Sequence, residues 1–476
     1  MLLQKRQASS RLGRPKNAHA LVVAALFSAA ALAVSGCQND SGSASASDGQ
    51  ETTTAPARVA EKTIVQPAVG DLAVAPDAER VDLTAPTFSD PTRVSNPLFP
   101  VSEQKSVLLL GQVDGLPFRT EVTLLPETRI IEWQGQQVET LVSQYVAYLG
   151  GRIHEVAYDL YAQDDTGAVW YFGEDVFNFR DGLIADTHGT WVAGKDGPAA
   201  MIMPADPQVG DVYRPENIPG FVFEEVTVRS VGQTLGGPLG AVEGGLVIEE
   251  LHMDNSTEKK TFAPGYGEFF TAGGGDVEVL ALAVPTDALG EEPPAELVTL
   301  ESGAAKVFGA AQSKDWKAAK ATVKKMQAAW QTVRAGDVPK RLGPQLSSAL
   351  EALATAVETR KTAQARQAAV HVARWSLDLQ LRHRPVIEID LARLDLWAAQ
   401  MLVDAAAGDA PAVNGDFFSI DYIRDRIQHT FDEANRTRFN TVLEELNGAV
   451  ADEDLTAVAN IARQLRKTVA GLQPAN

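Results

Sequence analysis

Hydrophobic spacing changes once along this chain, at the acidic, proline-containing stretch Leu289-Gly290-Glu291-Glu292-Pro293-Pro294, and that switch constrains the fold more than any other feature. Before it, short runs rich in Val, Ile, Tyr, Phe and Thr alternate and stop at turn residues. After it, apolar residues recur three and four apart in alanine-rich surroundings. Strands followed by helices, rather than strands alternating with helices, predict two segregated layers of structure.

The β half is expected over 96–285. Phe118, Thr120, Val122 and Leu124 share one face of a strand, Thr128 to Trp133 follows, and Gln134-Gly135 ends it. Val138 to Leu149 stops at Gly150-Gly151, Ile153 to Tyr161 leads into Asp164-Asp165-Thr166-Gly167, and Val169 to Phe172 precedes Arg180-Asp181-Gly182. Strands joined by such tight turns pair antiparallel, so the spacing predicts an antiparallel β meander forming a half-barrel, barrel or sandwich. A hinge is expected at 286–295 and an all-α domain, a helical bundle or helical-hairpin array, at 296–476. Trp316, Ala319, Val323, Met326, Trp330 and Val333 form one bundle seam, and Leu455, Val458, Ala462, Leu465, Val469 and Leu472 another. Ala335-Gly336-Asp337 and Ala407-Gly408-Asp409 read as helix stops, with Ser313 and Asp452 as candidate caps. Segments beginning at Asp315, Thr362, Asp409 and Asp454 place equivalent alanines 47, 47 and 45 residues apart, the length of one helical hairpin.

The N-terminus reads as an address. Lys5, Arg6, Arg11, Arg14 and Lys16 precede an apolar run from Ala20 to Val34 that only Ser28 interrupts, the pattern of a signal peptide over 1–36. The run is shorter than the roughly 20 residues that span a bilayer core. Val34-Ser35-Gly36-Cys37 resembles the lipobox of bacterial lipoproteins, which implies cleavage between Gly36 and Cys37 and acylation of the Cys37 thiol, as with palmitate. Gln38 in the following position implies the outer membrane where the source is Gram-negative. Cys37 is the only cysteine, so disulfides, zinc thiolates and cysteine nucleophiles drop out. Ser, Ala, Thr, Pro and Gly dominate as far as residue 95, so 37–95 reads as a disordered tether. Without the signal the chain has 37 basic against 62 acidic residues, and residues 37–290 hold 14 against 38. Such a field disfavours nucleic acid and leaves lipid, rather than charge, to hold the protein at a membrane.

Chemistry-bearing patterns are few. His154-Glu155 lacks a second histidine where a zinc-protease helix needs one, and Asp165-Thr166-Gly167 between strands reads as a turn. Nucleotide-binding loops and nucleophile elbows are absent from the sequence, so no cofactor and no catalytic residue is expected. The helical half offers His371, His383 and His429, the last one turn from Asp425 and one turn before Glu433, but Arg424 and Arg426 make that face an array of ion pairs. Asp378, Asp390, Asp395 and Asp404 lack the Glu-x-x-His companions of a di-metal bundle, so no metal site is expected. In the β half, Trp170, Phe172, Glu174 and Asp175 combine aromatic surface with carboxylates, either as a ligand platform or as a core strand followed by an acidic turn.

Asn96-Pro97-Leu98-Phe99-Pro100, Trp170 to Asp175, Met203 to Tyr213 and Ala263-Pro264-Gly265-Tyr266-Gly267 together resemble a widespread family of uncharacterised secreted bacterial β proteins, over about residues 96–285. Its members have a tryptophan soon after the first motif and a cysteine near the penultimate strand, where this chain has Ser106 to Leu109 and a glycine-rich Gly236 to Gly245 stretch. The resemblance implies an extracytoplasmic β module and no particular activity. The expectation is a non-enzymatic, lipid-anchored binding or scaffolding protein of the cell envelope, facing outside the cytoplasm. Its β domain would take a small ligand or an envelope partner protein, and its helices would offer an interaction surface. The alternatives are an envelope hydrolase using carboxylates near Glu174 and Asp175, and a cation-binding protein.

Overall fold

The computed structural model describes residues 72–472; the signal-like segment, Cys37 and the tether as far as residue 71 lie outside the described residues. Fourteen antiparallel strands come first: β1 (Ser106–Val113), β2 (Leu116–Trp133), β3 (Gln136–Leu149), β4 (Arg152–Gln163), β5 (Val169–Arg180), β6 (Leu183–Asp186), β7 (Trp191–Val192), β8 (Ala200–Met203), β9 (Val212–Ile218), β10 (Val222–Gly236), β11 (Ala241–His252), β12 (Thr257–Ala263), β13 (Gly267–Gly273) and β14 (Asp276–Val284). The order β6-β5-β4-β3-β2-β1-β14-β13-β12-β11-β10-β9 is two meanders joined where β1 pairs β14. β5 also pairs with β7 and β8, and β8 lies beside β9, so the sheet curls and its ends approach each other. Turns 114–115, 134–135, 150–151 and 181–182 have both central residues at positive φ, the geometry that matches strand twist in two-residue hairpins. The two runs expected at Phe118–Leu124 and Thr128–Trp133 are one strand with a bulge between Leu124 and Thr128.

Eight helices follow: α1 (Ala295–Gln312), α2 (Trp316–Val333), α3 (Leu342–Glu358), α4 (Thr362–Gln380), α5 (Val386–Ala407), α6 (Ala410–Ile427), α7 (Glu433–Ala451) and α8 (Leu455–Val469). α1 packs on α2 and α4, and α3 on α4; α5 packs on α6 and α8, and α7 on α8. The result is two four-helix sets joined where α4 lies against α5. The repeated positions are the starts of the second helix in each hairpin, each preceded by a left-handed residue: Lys314, Arg360, Gly408 and Glu453. Ser313 and Asp452 are not N-caps; both close the preceding helix. Capping falls two residues later, where Asp315 accepts from the Ala318 N–H and Asp454 from those of Thr456 and Ala457.

The helices brace one outer face of the sheet. Leu108, Val146, Tyr148, Ile153, Val156, Phe179 and Leu282 share a continuous apolar core with α1 to α8. Tyr148 stacks on Trp397 at 5.4 Å. Within this interface lie three buried arginines and three buried acids. Arg119 of β2 grips Asp378 of α4 at 2.7 and 2.9 Å and donates to Glu121 at 3.0 Å. Arg393 bonds Asp378 at 2.9 Å and Asp390 at 3.1 Å, and Arg426 bonds Glu121 at 3.0 Å and Gln144 at 2.6 Å. Burial raises the Glu121 carboxyl, but Arg393, Arg119 and Arg426 outweigh it and hold the group well below its usual range. The connection between layers is itself tied down: Leu289 N–H donates to the Arg382 carbonyl at 2.7 Å, and Arg382 Nε to that of Asp287 at 3.1 Å.

The expected tether is corrected over its last two dozen residues, because 72–95 lie along the β domain. Arg80 bridges to Val212, Ala75 N–H donates to Glu225 at 2.7 Å, and Val94 is fully buried. Composition here is Pro- and Asp-rich, yet Val81, Phe88 and Val94 supply apolar anchors.

Candidate functional site

Alternation gives the curled sheet two unlike faces. On β2, Arg119 and Glu121 point to the helices while Val122 and Leu124 point inward. Inward-facing side chains enclose a cavity with about 920 Å³ of empty volume, which includes the space at its open mouth. Phe99, Leu109, Val226, Ile248 and Phe262 contribute apolar wall; Tyr145, Tyr161, Tyr213 and Tyr266 contribute phenols; Asp159, Glu250, Lys260 and Glu268 contribute charge.

Acids dominate this interior. Burial pushes Asp159 up to about 7 against the hydrogen bond from Tyr171, whose hydroxyl lies 2.9 Å from Asp159 Oδ1. Burial raises Glu155 to about 8, with Asp159 and Asp186 adding to it, and raises Glu268 to about 7. Glu174 and Glu216 lie together, and burial holds both well above the ordinary carboxylate range, with Glu216 adding to the shift of Glu174 and Glu224 to that of Glu216; Trp191 Nε1 donates to Glu216 Oε1 at 3.2 Å. Two cationic groups answer them. Lys260 forms an ion pair with Glu250, and His252 stands with Nδ1 3.3 Å from Glu224 and Nε2 3.6 Å from Glu258. Burial disfavours the imidazolium, but Glu224, Glu258 and Glu250 raise it to about 10.

β5 separates the four residues singled out in the sequence. No acidic turn follows the aromatics; Gly173 to Arg180 continue the strand. Trp170 and Phe172 pack outward with Trp133, Phe172 also meets Phe88 at 5.5 Å, and Trp170 Nε1 donates to Asp164 at 2.9 Å. Glu174 lies inside beside Tyr171 and Glu216. Asp175 faces the other way and pairs with Arg129 at 2.8 Å. They therefore do not form one platform. Asp164 closes the Asp-Thr-Gly turn by accepting from Thr166 and Ala168, and Asp165 holds Thr87 and Ser89.

The helical acids are occupied by arginines or glutamine: Asp378 and Asp390 in the interface cluster, Asp395 with Arg466 at 2.7 and 2.9 Å, Asp404 with Arg152 at 3.0 Å and Gln400 at 2.9 Å. Arg424 pairs with Asp421, whereas Arg426 turns inward. Burial lowers His371 to about 4, and Arg374 adds to the shift.

Sequence reading missed the acids on β9 to β13. Their signal was phase: Glu224 is in step with Val226, Glu250 and His252 with Ile248, and Glu258 and Lys260 with Phe262, so polar groups occupy the buried register. Three of the four family-like motifs meet in space. The Asn96 amide donates to the carbonyls of Gly167 and Pro204 at 3.0 Å each, and the Gly265 N–H to that of Pro97 at 2.8 Å.

No protein-family model matches this chain, and no curated protein matches it either. Among the described residues no helix is long and apolar enough to cross a membrane.

Proposed function

We propose that the chain is a non-enzymatic binding protein of the cell envelope, anchored through acylated Cys37, whose β domain takes a small amphiphilic ligand with a cationic head. The cavity carries this reading: its wall is mostly apolar, with a few carboxyl, phenol and ammonium groups set into it, the make-up usual for small-ligand sites. Of the charged groups that line it, Lys260 is matched by Glu250, which leaves Asp159 and Glu268 in surplus. Burial raises both carboxyls to about 7 because it penalises the anion, and a bound ammonium would favour that anion by supplying a cationic partner. The helices brace the opposite face and offer their solvent side to an envelope partner.

Displacement of a fluorescent amphiphile by dodecylamine, dodecanoate and dodecyl glycoside tests the ligand class. Dodecylamine should bind at least about tenfold more tightly than dodecanoate, a difference of about 1.4 kcal/mol. Val226→Trp, which fills the cavity, should abolish binding. Equal or tighter binding of the carboxylate, or binding by none of the three, would reject the proposal.

A further inference from the structure

The strand register gathers a second constellation at one end of this interior. Glu224 of β10 stands directly opposite His252 of β11, Val226 opposite Glu250, and Glu250 opposite Glu258 of β12. Positions two apart share a face, so Glu224, Glu250, His252 and Glu258 all project inward with Val226 and Ile248. One ligand atom each from Glu224, Glu250 and His252 lies within 4.8 Å of the other two. All three residues are more than nine-tenths buried. Glu224 Oε2 and His252 Nε2 have no hydrogen-bond partner, an arrangement that costs free energy unless something else fills it.

We propose that Glu224, Glu250 and His252 bind a divalent first-row transition metal ion of the Zn²⁺ or Mn²⁺ type, with Glu258 orienting the histidine. One imidazole with carboxylates is a mixed nitrogen and oxygen set, which suits these ions better than Ca²⁺ or Mg²⁺. A point equidistant from three atoms 4.8 Å apart lies roughly 2.8 Å from each, so small side-chain rotations reach bond lengths of about 2.0–2.2 Å. His252 Nδ1 is the nitrogen nearest Glu224, and its Nε2 points toward Glu258 at 3.6 Å. A metal on Nδ1 leaves Nε2–H to that carboxylate, the outer support common to metal-bound histidines. Charge agrees as well. Glu224, Glu250 and Glu258 carry three negative charges against one on Lys260, and a divalent ion beside neutral His252 balances the remainder. Glu250 and Lys260 line the cavity, which gives the ion a route in. The proposal does not depend on the amphiphile.

The test uses the full chain, stripped with chelator and titrated calorimetrically with Zn²⁺, Mn²⁺ and Ca²⁺, followed by gel filtration and elemental analysis. One equivalent of Zn²⁺ or Mn²⁺ should remain, and Ca²⁺ should bind at least about tenfold more weakly. E224Q and H252Q should each lower transition-metal affinity tenfold or more, while E174Q, which changes a buried carboxylate outside the cluster, should bind as the parent does. Should both cluster variants fail to fold, pulsed EPR of Mn²⁺ on the unmodified chain decides, because coupling to one imidazole nitrogen is required. Absence of retained metal, unchanged affinity in folded E224Q or H252Q, or a bound ion without nitrogen coupling would overturn the site and leave His252 as an imidazolium clamped between Glu224 and Glu258.

Discussion

Asp378→Asn should be among the most damaging single substitutions in the chain, although it changes neither size nor shape. Both Asp378 oxygens are engaged, by Arg119 at 2.7 and 2.9 Å and by Arg393 at 2.9 Å, and the side chain is fully buried. Three arginines face three acids here, so the amide leaves one buried guanidinium charge unmatched and turns an N–H₂ toward another donor. Removing one partner of a buried pair costs about 3–5 kcal/mol, mostly from the charge left behind. Because the apolar core runs unbroken from β-strands to helices, the loss should appear as one shifted transition. Denaturant unfolding should be followed by far-UV circular dichroism for the helices and tryptophan fluorescence for both layers. Combining Asp378→Asn with Arg119→Met should cost clearly less than the sum of the single changes, since the pair removes one charge of each sign. A loss below about 1 kcal/mol, or strict additivity, would refute the view that this cluster carries a balanced charge load.

Three further outcomes follow from the same geometry. Burial raises Glu155 to about 8 and Asp159, Glu224 and Glu268 to about 7, whereas the unfolded groups titrate near 4, so the folded state binds more protons in between. Stability of metal-free protein should therefore fall as pH rises from about 5 to 8.5, and thermal melts showing the reverse slope would contradict the acidic interior. Gly182 sits at φ +73°, and a Cβ there would lie 2.0 Å from the Pro411 carbonyl oxygen and 2.7 Å from Gly415 N. Gly182→Ala should cost about 1–3 kcal/mol of overpacking beyond about 1–2 for the backbone, measured by denaturant midpoint, and so loosen α6 from the β5–β6 turn. Cys37→Ser should release the protein from membranes in cell fractionation without changing its melting temperature, and membrane retention would count against the anchor.

The layer order was legible because a period of two and a period of 3.6 cannot be confused over this length. The helical repeat was legible too, since each hairpin turn has a left-handed residue one or two positions before its second helix, which keeps Asp315, Thr362, Asp409 and Asp454 nearly evenly spaced. What sequence pattern could not convey was partnership across long separations. Arg119 and Asp378 are 259 positions apart and read as two surface charges until the fold joins them. Pro- and Asp-rich composition made 72–95 look like linker, because a few anchors such as Phe88 and Val94 suffice to lay a strap on a finished sheet. Trp170, Phe172, Glu174 and Asp175 looked like one site because they are adjacent and Trp170, Phe172 and Glu174 are in step, yet a bulge at Gly173 shifts the register and turns Glu174 to the other face.

The two faces of the sheet solve the problem of buried charge in opposite ways, and the contrast bears on function. In the cluster between sheet and helices, Glu121, Asp378 and Asp390 are matched by Arg119, Arg393 and Arg426, which is what docking two layers requires. Inside, Asp159, Glu174, Glu216, Glu224, Glu250 and Glu258 outnumber Lys260 and His252. Well-packed apolar residues of similar volume would stabilise that interior at least as well. A surplus of buried carboxyls therefore serves something other than stability, and the charge that would relieve it is positive. An ammonium headgroup at Asp159 and Glu268 and a metal ion at Glu224, Glu250 and His252 answer this imbalance at different points, and either one would raise stability with the logarithm of its concentration above Kd.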